Sequence, residues 1–334
     1  CLSRFLSAQS NHPLGQSGCY AMKLESRFDE NTQVVFVTPG VALRWFSENK
    51  LEGFDTVIVD EFHERRWDTD LLVALLKDSQ THRLVVTSAT IEGEKLANYI
   101  GAKRMYAEGR NFDVSIGYRA GDSRQLPDAR SLDEKVKQEV LALSDVDGDI
   151  LVFLPGRKEI SQCQSKLAGI EGLVAVPLHA SVTDEQREVA LNTQVYKKVV
   201  LATNVAETSL TIPNIVAVID SGLERRTEQR NGRTALSLKH ISKASAKQRS
   251  GRAGRVMDGI CIRLYGEHAA LSEVTPPEMH RESLTEAMLA SASCGKALAP
   301  LNFLELLPER SLNQANEILT AMGANKEGGT AAEQ

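Results

Sequence analysis

Cysteine is sparse in this sequence, and nothing pairs it. Cys1, Cys19, Cys163, Cys261 and Cys294 are scattered without a C-x-x-C spacing. That argues against a disulfide framework or a structural zinc site and fits a reducing, cytoplasmic setting. No apolar run reaches the length of a membrane span, and no stretch reads as a secretory signal peptide. An excess of positive charge is also missing: the formal net charge is -5. Such a sum does not announce a nucleic-acid partner, although the distribution of charge matters more than its total. An initiator Met is absent as well. The chain opens Cys1-Leu2-Ser3-Arg4, and Phe5 to Gln9 reads like the middle of a helix, so a fragment or a processed chain is expected. What is present is ordinary for a water-soluble protein, with 42% hydrophobic and 25% charged residues. A length of 334 residues exceeds one comfortable core and predicts two domains or more.

Short apolar runs mark the organisation. Val34–Val37, Val57–Val59 and Leu84–Val86 read as strands, with a helical spacing over Thr69–Lys77 between the last two. Strands apolar on both faces and separated by helices predict a parallel α/β sheet. Residues 120–130 are polar and rich in breakers, a linker by composition. The alternation then restarts. Leu132–Leu143 and Ile160–Leu167 read as helices, and Asp149–Leu154, Leu173–Val176, Lys198–Ala202 and Ile215–Ile219 as strands. Beyond residue 271, Ser283–Ala292 and Leu312–Met322 are helix-like, and 327–334 reads as a frayed end. The expected division is 1–127, a partial first α/β domain with its linker; 128–270, a second; and 271–334, a small helical region.

Functional loops of parallel sheets lie at the carboxyl ends of strands, and three polar motifs stand there. Val57-Ile58-Val59 runs into Asp60-Glu61. Adjacent carboxylates at a strand end can diverge, one toward a magnesium ion and the other toward an attacking water. A solvated acidic turn is the plain alternative. The third strand ends in Thr87-Ser88-Ala89-Thr90, whose small hydroxyl residues can link an acidic cluster to a facing domain. Far downstream comes Gln248-Arg249-Ser250-Gly251-Arg252-Ala253-Gly254-Arg255. Arg252 and Arg255, three apart, are expected to share a helix face, and small residues between them permit close approach to a triphosphate.

Thr38-Pro39-Gly40, Asp60–Glu64 (DEFHE), Ser88–Thr90 (SAT), Ala202–Pro213 (ATNVAETSLTIP) and Gln248–Arg255 together resemble a DEAH-box (DExH) RNA helicase of superfamily 2, with Phe62 resembling the bacterial HrpB-type branch. The likeness covers essentially the whole chain. It implies two RecA-like domains that use ATP and Mg2+, followed by the start of a winged-helix region. It also implies roles. Asp60 resembles the magnesium ligand, Glu61 the catalytic base and His63 the link to the facing arginines. Gln248, Arg252 and Arg255 resemble the water-positioning and phosphate-sensing set. Ser88 and Thr90 resemble the motif coupling hydrolysis to strand separation. Thr38, with Gly40 of the same motif, and Thr203 would contact nucleic-acid phosphates.

The residues add to this. Glu224 to Arg255 holds seven Arg and three Lys, and Arg230-Asn231-Gly232-Arg233 reads as the tip of a β-hairpin with an Asn-Gly turn. Arg230 and Arg233 there, and Arg157 at the mouth of the strand ending at Gly156, are candidate contacts to a single strand, gripped with little sequence preference. RNA rather than DNA is implied by the resemblance alone. Two departures stand out. Arg66-Trp67 replaces the Ser-Leu usual after DExHER. No G-x-x-x-x-G-K-[ST] occurs anywhere, and Gly295-Lys296 is followed by Ala. Without such a loop the β- and γ-phosphates have no cradle, so these 334 residues alone are expected not to hydrolyse ATP. Two alternatives stay open: a helicase-like module that binds RNA or a protein without turnover, and a DNA helicase.

Overall fold

The computed structural model describes residues 18–22, 25–27, 33–89, 93–107, 112–208, 210–230, 233–326 and 329–330. Expectations on Phe5–Gln9, Thr90, the Asn231-Gly232 turn, 327–328 and 331–334 fall outside them. The chain forms two compact units, Cys1–Arg104 with Pro276–Gln334, and Met105–Thr275.

In the first unit, β1 (Gly18–Met22) pairs in parallel with β3 (Val34–Val37) and antiparallel with β2 (Glu25–Arg27). Helix α1 (Pro39–Asn49) follows directly. Its Pro39 presets the backbone for the first helical turn, where no N–H is needed. Thr-Pro-Gly reads as a turn in sequence, which hid this helix. β4 (Thr56–Val59) pairs in parallel with β5 (Arg83–Val86), and α2 (Trp67–Ser79) crosses between them. α2 extends the predicted Thr69–Lys77 at both ends and buries every residue from Asp68 to Leu76. α3 (Gly93–Ile100) completes this stretch.

The second unit carries β6 (Val114–Tyr118), α4 (Leu132–Ala142), β7 (Asp149–Phe153), α5 (Arg157–Leu167), β8 (Leu173–Leu178), α6 (Asp184–Leu191), β9 (Lys197–Ala202) and β10 (Ile215–Asp220). The hairpin β11 (Leu223–Arg230) and β12 (Arg233–His240), α7 (Lys243–Gly251) and β13 (Gly259–Arg263) follow. Six strands form one sheet in the order β6-β13-β10-β7-β9-β8, every pairing parallel. Its faces divide by residue parity. Ile150, Val152, Val199 and Leu201 pack under α4 and α5, while Leu151, Phe153, Val200 and Ala202 pack on the opposite side with Ala190 and Ala253. Burial on both faces is why these strands read as unbroken apolar runs.

The last segment belongs to the first unit. Its helices α8 (Glu278–Arg281), α9 (Thr285–Ser293) and α10 (Glu309–Ala321) place Met279, Leu284, Ala287 and Ala315 in one core with Leu43, Phe46, Leu71 and Leu75. No helix among the described residues is long and apolar enough to cross a membrane.

Candidate functional site

Val59 lies opposite Val86 in the parallel pair, so Asp60 and Thr87 leave neighbouring strands side by side. The Thr87 hydroxyl donates to Asp60 Oδ1. The Glu61 N–H donates to that same oxygen at 3.0 Å and to Thr87 Oγ1 at 3.2 Å. The backbone repeats the link: Thr87 N–H donates to the Val59 carbonyl at 2.9 Å, and Phe62 N–H to the Thr87 carbonyl at 3.0 Å. Phe62 is 1% exposed and packs with Val59, Val73 and Leu96, so a buried ring anchors the turn beside the exposed Asp60. Glu61 and Arg65 flank the short 3-10 turn Phe62–Glu64 in left-handed backbone, φ 54° and 48°. Each such residue costs about 1–3 kcal/mol, a strain the buried ring and the bonds to residue 87 offset.

The carboxylates face different partners. Asp60 faces Thr87, whereas Glu61 Oε2 stands 3.0 Å from His63 Nε2. That approach lies off the N–H direction, and Nε2 has no directed hydrogen bond, so the contact is electrostatic. His63 Nδ1 accepts the Ala89 N–H at 3.1 Å. A backbone N–H can only donate, so a neutral His63 carries its proton on Nε2, the ring nitrogen nearer Glu61.

Thr38, Gly40, Asp60 and Glu61 line one open cavity of about 460 Å³ together with Glu64, Arg66 and Asp68. Thr38 is the N-cap of α1, and its hydroxyl makes no capping bond. A Cβ at Gly40 would meet nothing, so packing does not require glycine there. The donor set suits a hard cation: four carboxylates face one arginine. No group of three or more metal-binding side chains exists among the described residues. A magnesium ion that keeps most of its water and takes one carboxylate matches such a set.

The second unit brings its candidates together in two places. Arg157 opens α5 just after β7, and Thr203 follows β9, its N–H donating to the Leu178 carbonyl at 3.2 Å. Both therefore lie at the carboxyl ends of adjacent strands. There burial and the Arg157 charge lower the proton affinity of His179. The other group lies along 207–211. Arg252 donates to the carbonyls of Glu207 at 2.8 Å and Leu210 at 2.7 Å, and Arg255 Nη1 donates to Thr211 Oγ1 at 3.0 Å. The expectation that Arg252 and Arg255 share a helix face is not met: α7 ends at Gly251, Arg252 is its C-cap, and Arg255 lies in the turn beyond. Gly254 makes that turn possible, since a Cβ there would sit 2.6 Å from the Phe112 carbonyl oxygen. Gln248 is half-buried on α7, Ser88 is exposed, and Arg230 pairs with the exposed Arg233 at the hairpin tip.

The motifs did not reveal Thr87, Phe62 as an anchor, or Arg249. The signal for Thr87 was the register, because two equal strands each end one residue before a polar side chain. Ion pairs occupy part of the basic stretch. Arg225 pairs with Glu159 at 2.8 Å, Arg226 with Glu224, Lys239 with Glu228 at 2.7 Å, and Lys243 with Glu273 at 2.5 Å. Arg233 and Lys247 have no acidic partner among the described residues.

Comparisons with known proteins match these features. Residues 132–257 match the model of the helicase conserved C-terminal domain. The ATP-dependent RNA helicase HrpA of Escherichia coli (strain K12) is 34% identical over 330 residues, covering 92% of this chain and 25% of that protein. A crystal structure of the E. coli DExH-box NTPase HrpB superposes with TM-score 0.86 at 31% identity, over 99% of this chain and 42% of that one. A second, of the Escherichia coli DEAH/RHA helicase HrpB, gives TM-score 0.88 at 32% identity, over 99% of this chain and 44% of that one. The chain thus spans a quarter to under half of the lengths of the relatives it matches. With sequence and fold matched across nearly its full length, the chain belongs to the DEAH-box (DExH) helicases of the HrpB type.

Proposed function

We propose that this chain is the helicase-core part of an ATP-dependent enzyme that moves along or unwinds RNA. The observation that carries this reading is the divergence of Asp60 and Glu61 at the end of β4, one held by Thr87 and the other facing His63. In this proposal the Asp60 carboxylate holds magnesium, and Glu61 takes the proton of the attacking water at Oε1, since Oε2 faces His63. Magnesium with ATP would supply charge neutralisation at the phosphates. His63 stands against Glu61 through Nε2, and Gln248, Arg252 and Arg255 respond to the phosphates. Ser88 and Thr90 couple hydrolysis to strand movement. Thr38, Gly40, Arg157, Thr203, Arg230 and Arg233 contact the strand. Supporting this are the Thr38 hydroxyl, which makes no capping bond at a helix N-terminus, and Arg233, exposed at the hairpin tip with no acidic partner among the described residues. Residues 1–127, 128–270 and 271–334 are proposed as the first RecA-like domain, the second, and the start of a winged-helix region. A cytoplasmic setting belongs to the same proposal. It rests on unbridged, buried thiols, of which Cys163 and Cys261 are pushed up to about 12 by burial.

The 334 residues contain no phosphate loop, and by themselves they are proposed to turn over no ATP. That observation also supports a second reading, a module that binds RNA without hydrolysis. Phosphate release by a version extended to include a phosphate loop separates the two. The first reading expects release that single-stranded RNA stimulates more than single-stranded DNA does. Stimulation by DNA alone would indicate a DNA helicase. RNA binding with no release under any condition would indicate the non-catalytic module.

A further inference from the structure

We propose that Thr87 is a positioning residue for the carboxylate pair, fixing through its hydroxyl which oxygen of Asp60 faces outward and holding the Glu61 amide in place. The inference rests on the proposed hydrolytic role of Asp60 and Glu61. A hydroxyl has one proton to give and lone pairs to receive, and Thr87 uses both: it donates to Asp60 Oδ1 and accepts from the Glu61 N–H. Asp60 Oδ1 thereby takes two donors, from Thr87 and Glu61. Asp60 Oδ2 is left with no donor among the described residues. The carboxylate is therefore oriented before any ligand arrives, with one oxygen turned to the protein and the other available.

Packing does not explain a hydroxyl at this position. Residue 87 is exposed and just past the end of β5, where valine, branched at Cβ like threonine, would fit the same backbone. Its backbone bonds to Val59 and Phe62 would survive that exchange, because they use only its N–H and carbonyl. The same short exit segment also serves His63, through the Ala89 N–H. Residues 87–89 thus act as a template for all three members of the acidic turn, and the residue ahead of the Ser-Ala-Thr motif does the larger share.

Amide hydrogen exchange resolved to single residues, on the 334-residue chain without nucleotide, tests this. Wild type, Thr87→Val and Thr87→Ser are compared. Thr87→Val is expected to speed exchange at Glu61 about fivefold, as expected for losing one modest hydrogen bond. Phe62, whose amide is held by the residue 87 carbonyl, should be unchanged, and Thr87→Ser should restore wild-type exchange at Glu61. An unchanged Glu61 amide in Thr87→Val overturns the proposal. So does a joint rise at Glu61 and Phe62, which would mark general loosening. If Glu61→Gln left ATP hydrolysis intact in the extended version, the functional reading would fail while the exchange result still decided what Thr87 does.

Discussion

Arg249, Arg252 and Arg255 share one short motif yet sit at three depths. Arg249 is fully buried, with Nη1 2.8 Å from Asp220 Oδ1, Nε 3.0 Å from Glu207 Oε2, and its guanidinium over the Phe153 ring. Arg252 is buried but turned to backbone carbonyls, and only Arg255 reaches the surface. No spacing rule separates three arginines in Gln248–Arg255; depth does, and depth depends on which strand lies beneath. A second buried pair makes a prediction about pH. Asp70 is held by Arg65 at 3.0 Å, and burial, opposed by that charge, pushes its carboxyl up to about 6. The folded chain therefore binds this proton more tightly than an unfolded chain, where aspartate titrates near ~3.9. Its contribution to stability is full below about pH 4 and is lost as pH rises through about 6. Between these values the urea-unfolding midpoint of wild type should fall more steeply with rising pH than that of Asp70→Asn. Parallel pH profiles would show that Asp70 is not the group responsible.

At the scale of elements, the start of α2 shows how a departure in sequence is absorbed. Arg66 stands at the N-cap and makes no capping bond with its side chain. The Trp67 N–H is instead taken by the Glu278 carboxylate at 2.9 Å, while the Glu278 N–H donates to the Arg65 carbonyl at 3.0 Å. A residue more than two hundred positions away thus caps the helix that follows the acidic turn, and a carboxylate suits the positive end of a helix. Glu278→Ala should cost about 0.5–2 kcal/mol of stability, with Glu278→Gln, which keeps an acceptor, losing less; equilibrium unfolding measures both. An alanine variant as stable as wild type would mean water replaces the cap. Elements themselves were unevenly legible. Buried strands such as β7 and β10 were plain, because both of their faces are apolar. β6 was not, since it is a half-exposed edge. α6 was hidden by its polar composition, although its Thr183–Gln186 capping box stands in the sequence.

At the scale of the whole molecule, the carboxylate motif and the parallel-sheet class were readable because they are local. The grouping of 276–334 with the first unit was not, because it depends on contacts such as Arg65 with Glu305 and Tyr99 with the Asn302 carbonyl, each across more than two hundred residues. The basic patch was readable as a count, but its availability was not, since each ion pair that occupies it is decided by the fold. The function proposed for this chain requires the acidic turn to be a hydrolytic centre. Single-turnover ATP hydrolysis, with magnesium and single-stranded RNA, in a phosphate-loop-bearing version of the chain tests this most directly when wild type is compared with Glu61→Gln. Loss of a positioned general base predicts a rate about 10²- to 10⁴-fold lower in the variant. Equal rates in the two proteins would contradict the account.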